Sequence, residues 1–271
     1  MHSEDIAVDF LLRQGVGAPR FGVVLGTGFG SFVEAVSVRV VIPYAEIPGF
    51  PVSTVEGHAG NLIVGDFAGQ ELVLLQGRFH VYEGFTSEQI AFPFRVLHRL
   101  GITVLVLTNA AGSLNLEFQT GEFMVINDHL HGPTRQVRSK RSPIESLEPA
   151  SYSQELRTRF MQASKSAGIE VRRGVLAWMP GPSLETRAEI AMLVQMGADA
   201  VTMSTIPEAI VAMSLNLNVL GLSCLSNNCV GVTDPSVTAS DVLATVEAAS
   251  ERFTSLMRVF LTSWSEPTAA I

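Results

Sequence analysis

The chain has 271 residues, 47% of them hydrophobic, and a formal net charge of -8. That is ample apolar material for one large core and argues against disorder. The acidic balance argues against nucleic acid and anionic membranes as main partners, since both require a basic surface.

The start, Met1-His2-Ser3-Glu4-Asp5, shows no basic segment followed by an apolar one, and no apolar run reaches the roughly 18 residues of a membrane helix. A cytoplasmic protein is expected. From there the pattern alternates. Short β-branched runs predict strands at 21–25, 36–42, 61–67, 71–76, 102–108, 122–127, 171–178, 200–203 and 219–225. Several are continuously apolar, as strands covered on both faces are. Between them lie helical stretches. One is expected around 90–100, with Pro93 kinking it or delaying its start. Thr186-Arg187-Ala188-Glu189 and Thr205-Ile206-Pro207-Glu208 both have capping-box spacing, and Thr238-Ala239-Ser240-Asp241 opens the last helix similarly. Val242, Val246, Ala249, Phe253, Leu256 and Phe260 form one apolar stripe on a single long helix. The whole reads as an α/β domain with a mixed central sheet.

Residues 132–149 break this texture with Arg135, Arg138, Lys140 and Arg141, then Pro143, Glu145, Glu148 and Pro149. The strand and helix pattern resumes afterwards, so they read as a surface excursion from one domain spanning 1–271. Cys224 and Cys229 have no second Cys pair or nearby His to complete a zinc pattern, and read as reduced core thiols.

Gly26-Thr27-Gly28-Phe29-Gly30 follows a strand, and such a turn can aim several N–H groups at an anion. It is not the dinucleotide fingerprint, because Ser31 stands where the third Gly belongs, and it lacks a P-loop Lys. Thr27 adds a hydroxyl that a plain turn does not require. Arg78 and His80 follow an apolar strand and alternate onto one face, where one anion can touch both; a surface Arg and a satisfied His remain the alternative. His58, between Gly57 and Ala59, is open in the same way. Asn109-Ala110-Ala111-Gly112 ends the strand at 102–108, and its small residues suit close approach of a ligand or tight packing. Glu185, in Gly-Pro-Ser-Leu-Glu-Thr, and Asn227 offer one acid and one amide, which suit a neutral heterocycle bearing donors and acceptors.

In the order G-x-G-x-G, GHAG, GRFHxYEG, TNAAG, GPxxET, MSTxPE and SN, the chain resembles the trimeric purine nucleoside phosphorylases of the nucleoside phosphorylase superfamily, from about residue 20 to 260. The resemblance implies a twisted mixed sheet flanked by helices in a three-layer α/β/α arrangement. It implies a homotrimer with sites near subunit interfaces, and no metal or organic cofactor, with phosphate as co-substrate. The implied reaction converts a purine nucleoside and phosphate into free base and ribose 1-phosphate. Carried over residue by residue, it surrounds phosphate with Thr27, His58, Arg78, His80, the Ala110 N–H and Ser204. Tyr82 and Met203 lie against the ribose, and Ala239 stands at its 5′ end. Ala111, Gly112, Leu184, Glu185 and Asn227 frame the base, with Asn227, Glu185 and His80 as the catalytic group. An Asn at 227 favours 6-oxopurines, although the neighbouring Asn228 leaves that assignment good to one residue.

Three positions depart from the pattern. Ala239 replaces a His that meets the ribose 5′-hydroxyl, Leu184 replaces an aromatic against the base, and no Phe lies between Met124 and Arg159, where a neighbouring subunit's aromatic is expected and Leu147 is a weak substitute. The expected function is phosphorolysis of 6-oxopurine nucleosides. The alternatives are a 5′-methylthio- or 5′-deoxy-nucleoside phosphorylase and a non-catalytic nucleoside-binding relative.

Overall fold

Among the described residues, nine strands and seven helices follow one another much as the hydrophobic pattern predicts. The strands are β1 (Phe21–Leu25), β2 (Ser37–Pro43), β3 (Asn61–Phe67), β4 (Gln70–Gln76), β5 (Val104–Ser113), β6 (Phe123–His131), β7 (Val171–Trp178), β8 (Ala200–Thr202) and β9 (Asn218–Asn228). The helices are α1 (Ser3–Arg13), α2 (Ser87–Arg99), α3 (Gln154–Ala167), α4 (Arg187–Gln195), α5 (Ile206–Ser214), α6 (Ala239–Ala248) and α7 (Ser250–Thr262). The computed structural model describes residues 3–52, 59–131, 151–230 and 237–264. His58 and the excursion at 132–149, with its basic cluster and Leu147, lie outside the described residues.

All nine strands join one mixed sheet in the order β2-β3-β4-β1-β5-β8-β7-β6-β9. Strand β5 also pairs with β9, so β5, β8, β7, β6 and β9 close into a ring at one end of the sheet. Strands β4, β1, β5 and β9 run parallel, which brings their C-terminal ends to one side, where open α/β sheets present ligand groups.

Burial on both faces explains the continuously apolar strands. In β5, Leu105 and Leu107 face a core shared with α1, α2 and α5, whereas Val104 and Val106 face one shared with α3 and α7. Phe253 of α7 meets Phe29 edge-on at 4.8 Å and Phe32 at 5.2 Å. Each such pair contributes about 0.5–1.5 kcal/mol beyond area burial. Together they pin the segment after β1 to α7, and so brace the Gly-rich turn.

Several local expectations change, and β6 and β9 run past their expected ends at 127 and 225 to His131 and Asn228. Strand β5 does not end at Thr108 but runs through Asn109-Ala110-Ala111-Gly112 to Ser113, because β9 and β8 supply hydrogen-bonding partners along that stretch. Helix α2 starts earlier than 90, at Ser87, since Thr86 and Gln89 form a capping box; Pro93 is buried inside it. The last helix is two. Ala249 divides them, its N–H bonding the Val246 carbonyl at 3.0 Å in an i→i−3 contact, with Val246 held against Gly28 on one side and Phe253 in the core on the other. Thr205 does not cap α5, for the reason given below. The boxes at Thr186 and Thr238 form as read.

Candidate active site

The loop after β4 carries Arg78 and His80 just beyond the strand end, as their place after the apolar run predicts. Arg78 is only 2% exposed. Its Nη1 donates to Ser204 Oγ and Thr205 Oγ1, both at 2.8 Å, and its Nε lies 3.4 Å from Glu208 Oε1. Burial raises the Glu208 carboxyl and lowers the Arg78 guanidinium, and their pairing limits both shifts. A buried charge is tolerated only when paired and hydrogen-bonded in this way.

Thr205 reaches Arg78 by an unusual backbone. Its φ of 68° and ψ of −50°, with Ile206 N donating to Ser204 O at 2.7 Å, make a γ-turn of the strained hand. The Thr205 hydroxyl is therefore turned to Arg78 instead of capping α5, while the Glu208 carboxylate accepts from the Thr205 backbone N–H. Strain of this kind, about 1–3 kcal/mol, persists where the surroundings over-determine it, and it clusters at functional sites. The hydroxyl chain continues through Thr202, whose Oγ1 lies 3.4 Å from Ser204 Oγ and donates to the Ala110 carbonyl at 3.1 Å. Thus Arg78, Ser204 and Ala110 are brought together.

His80 is held by Glu83, whose Oε1 accepts from His80 N at 2.8 Å and lies 2.9 Å from Nδ1. A carboxylate partner places the proton on Nδ1 and leaves Nε2 as an acceptor. Burial lowers the His80 pKa, Glu83 pushes back, and Arg78 lowers it further, so the ring is neutral at pH 7. Tyr82 stacks on His80 at 4.7 Å with 17° between planes. Gly181 fits between Tyr82 and Met203, where a Cβ would overlap Met203 Sδ and approach Tyr82 Cδ1 to 3.1 Å. Trp178 Nε1 donates to the Met203 carbonyl at 3.2 Å. Tyr82 and Met203 are thus neighbours across one glycine.

The turn after β1 lies over the end of β5. Gly26 N donates to Thr108 Oγ1 at 3.1 Å, which itself donates to Val24 O at 2.8 Å. Thr27, half-buried, follows at the mouth of these strand ends. Gly28 has φ +80°, and a Cβ there would overlap Val246 of α6, so only glycine lets the turn and helix close together. Asn109, 1% exposed, has no partner for its carboxamide among the described residues.

The other end of the cleft is more open. Gly112 pairs with Asn227 across β5 and β9 after a register shift between Ala111 and Gly112. Asn227 Oδ1 accepts from Ser226 Oγ at 2.8 Å, and its Nδ2 lies 3.5 Å from Cys229 Sγ. Glu185 is near enough to Cys229 for its charge to raise the thiol, which burial alone already raises; together they push it up to about 11. Burial also raises the Glu185 carboxyl, and Glu189 adds to this. Ala111, Gly112, Asn227, Cys229 and Glu185 therefore form one group, whereas Asn228 pairs with Ser113. Leu184 is 56% exposed, and Ala239 is exposed at the first position of α6.

Sequence reasoning missed Thr205, Glu208, Glu83, Ser226 and Cys229. Glu208 was detectable as the lone charge in an apolar helix, Ile206–Ser214. Glu83, three residues after His80, had the spacing of a local partner. Among the described residues, no group of three His, Cys, Asp or Glu side chains is placed to hold a metal, and no helix is long and apolar enough to cross a membrane.

The sequence model of the Phosphorylase superfamily matches residues 20–262. Purine nucleoside phosphorylase 1 of Geobacillus stearothermophilus is 41% identical over 255 residues, 91% of this chain and 92% of the relative. The chain belongs to the purine nucleoside phosphorylase family. The rat purine nucleoside phosphorylase is 38% identical over 260 residues, 90% of this chain and 89% of its own. The crystal structure of Schistosoma mansoni purine nucleoside phosphorylase in complex with inosine superposes with a TM-score of 0.86 at 31% identity, covering 98% of this chain and 96% of the other.

Proposed function

We propose that this enzyme phosphorolyses 6-oxopurine nucleosides such as inosine and guanosine, giving free base and ribose 1-phosphate. The observation that carries the proposal is a fully buried guanidinium, braced by Glu208 and surrounded by hydroxyls, at the strand ends beside the Glu185–Cys229–Asn227 group. A phosphate there meets Arg78, Ser204, His80 and Thr27, with the Ala110 N–H and His58 completing the set. The anion needs positioning near C1′ more than activation. As the C1′–N9 bond breaks, its electron pair passes to the purine and a phosphate oxygen bonds C1′. Asn227 Oδ1 accepts from a protonated N7, its Nδ2 donates to O6, and Glu185 accepts from N1–H; these contacts stabilise the leaving group. Tyr82 and Met203 cover the ribose, and Ala111, Gly112 and Leu184 frame the ring.

Family kinship supports the rest of the reading. It comprises one catalytic domain over 1–271 with an excursion at 132–149, a cytoplasmic homotrimer, and no metal or organic cofactor. Relatives have been crystallised with inosine, guanosine and adenosine. A panel of inosine, guanosine, adenosine and 5′-methylthio analogues, with and without phosphate, tests the proposal. Phosphate-dependent hypoxanthine release from inosine is expected. No turnover of any member would leave a non-catalytic binding protein.

Ala239 favours a second reading. Exposed at the start of α6, it offers no polar group to a 5′-hydroxyl, so 5′-deoxy and 5′-methylthio nucleosides are substrates as well. The comparison is kcat/KM for inosine against 5′-deoxyinosine. Near parity is expected, and a preference for inosine of about a hundredfold, far beyond the roughly tenfold that one ordinary hydrogen bond gives, overturns it.

A further inference from the structure

The carboxamide of Asn227 is held from both sides. A β-bulge arises where Ala111 pairs with Leu225 and Gly112 with Asn227, so Ser226 has no opposite residue on β5. Bulges of this kind re-aim side chains beside active sites. Here Ser226 Oγ, in a residue 5% exposed, donates to Asn227 Oδ1 at 2.8 Å and lies 3.3 Å from the Ala111 carbonyl. Cys229 Sγ accepts from Asn227 Nδ2 at 3.5 Å, within the range for sulfur. Gly112 makes room for this, because a Cβ there would overlap the sulfur.

An amide oxygen has two lone pairs and an amide nitrogen two hydrogens. Ser226 occupies one lone pair and Cys229 takes one hydrogen. One acceptor and one donor remain, side by side. That pair matches N7–H and O6 of a 6-oxopurine leaving group and opposes a 6-amino group, which is itself a donor. We propose that Ser226 and Cys229 are positioning residues that fix the Asn227 carboxamide in the orientation that reads a 6-oxo edge. Cys229 acts here as a neutral thiol, a small acceptor where an anionic one would repel Glu185. The inference rests on the phosphorylase reading, and it adds two residues that set selectivity without touching the ring's reacting atoms.

The test compares kcat/KM for inosine and adenosine in the wild type, Cys229→Val, Cys229→Ser and Ser226→Ala, with hypoxanthine and adenine binding measured by calorimetry on the same proteins. Thermal unfolding checks that each variant folds. Sulfur is a weak acceptor, so the inosine-to-adenosine ratio is expected to fall about fivefold in Cys229→Val. It should stay within about twofold in Cys229→Ser, whose hydroxyl can take the same hydrogen. Ser226→Ala should lower the ratio as well, and the hypoxanthine-to-adenine affinity ratio should follow. A ratio unchanged in both Cys229→Val and Ser226→Ala overturns the proposal, as does a Cys229→Ser enzyme that behaves like Cys229→Val. If the wild type turns over neither nucleoside, the phosphorylase reading fails, and the calorimetric ratio still decides the orientation.

Discussion

Around Arg78 the site is buried and braced from within: Ser204, Thr205 and Glu208 surround the guanidinium, and Glu83 holds His80. Around Glu185 it is half open, with Leu184 exposed and Asn227 fixed from behind by Ser226 and Cys229. On the proposed reading, the difference follows from what each end must hold. A phosphate has the same shape in every reaction, so its site can be built rigidly and its desolvation offset once, in folding. The base must enter, lose an electron-rich bond to sugar and leave. Its site is therefore assembled from a loop, a strand end and few fixed contacts. Stability and activity should then be coupled at the first end and separable at the second.

The largest effect should come from Arg78→Met. It strips Glu208 of its partner in a buried site, so unfolding free energy should drop by about 3 kcal/mol or more, with phosphate-dependent turnover lost. Denaturant unfolding measures the first; a drop below about 1 kcal/mol, the size of an exposed pair, would break the contrast. Glu185→Gln should do the opposite. Its kcat/KM for inosine should fall about a hundredfold, the size of one lost transition-state contact. Unfolding free energy should stay within about 0.5 kcal/mol, as for sites away from the core. Comparable losses of stability in the two variants would erase the distinction between the two ends.

Gly28→Ala probes the bracing of the anion end. The positive φ and the overlap with Val246 should cost about 2 kcal/mol and raise the KM for phosphate more than that for inosine. Equal changes in both KM values would show that the turn does not serve the anion. A pH profile sharpens the other end. Burial raises the Glu185 carboxyl above its ordinary 4.5, and it accepts from N1–H only when ionised. Inosine kcat/KM should therefore be retained at neutral pH and lost as pH falls, at a higher pH than an ordinary glutamate would give. That limb should vanish in Glu185→Gln. Smallest of all, Arg172→Ala should lower stability only slightly, since its pair with Glu122 is partly exposed. Hydrogen bonding from Arg172 lowers the Glu122 carboxyl, so the pair's contribution is present above that group's ordinary 4.5 and is lost as pH falls below it. The difference between the two proteins should shrink in acid.

Much of this was legible in the chain. The strands at 21–25, 61–67 and 171–178 read true to the residue because β-branched and other apolar residues dominate each short run. Strand β5 was read short at 108, since small residues resemble a terminus until a partner strand is known to lie beside them. The closed ring was invisible for the same reason: β5 pairing with both β8 and β9 is a long-range fact. At the site, residue types announced Arg78, Glu185 and Asn227, whereas their braces did not. Thr205 and Glu208 spell a helix cap locally, and only the fold shows the buried guanidinium that redirects both. Cys229 read as a core thiol because sulfur carries no label for its neighbour.

The central claim is that one cleft holds phosphate at the braced end and a purine at the open end. A crystal structure with phosphate and hypoxanthine bound tests it most directly. The account predicts phosphate oxygens within hydrogen-bonding distance of Arg78 and Ser204, with Asn227 on N7 and O6 and Glu185 on N1. Phosphate bound away from Arg78, or a ring that touches neither Glu185 nor Asn227, would contradict it.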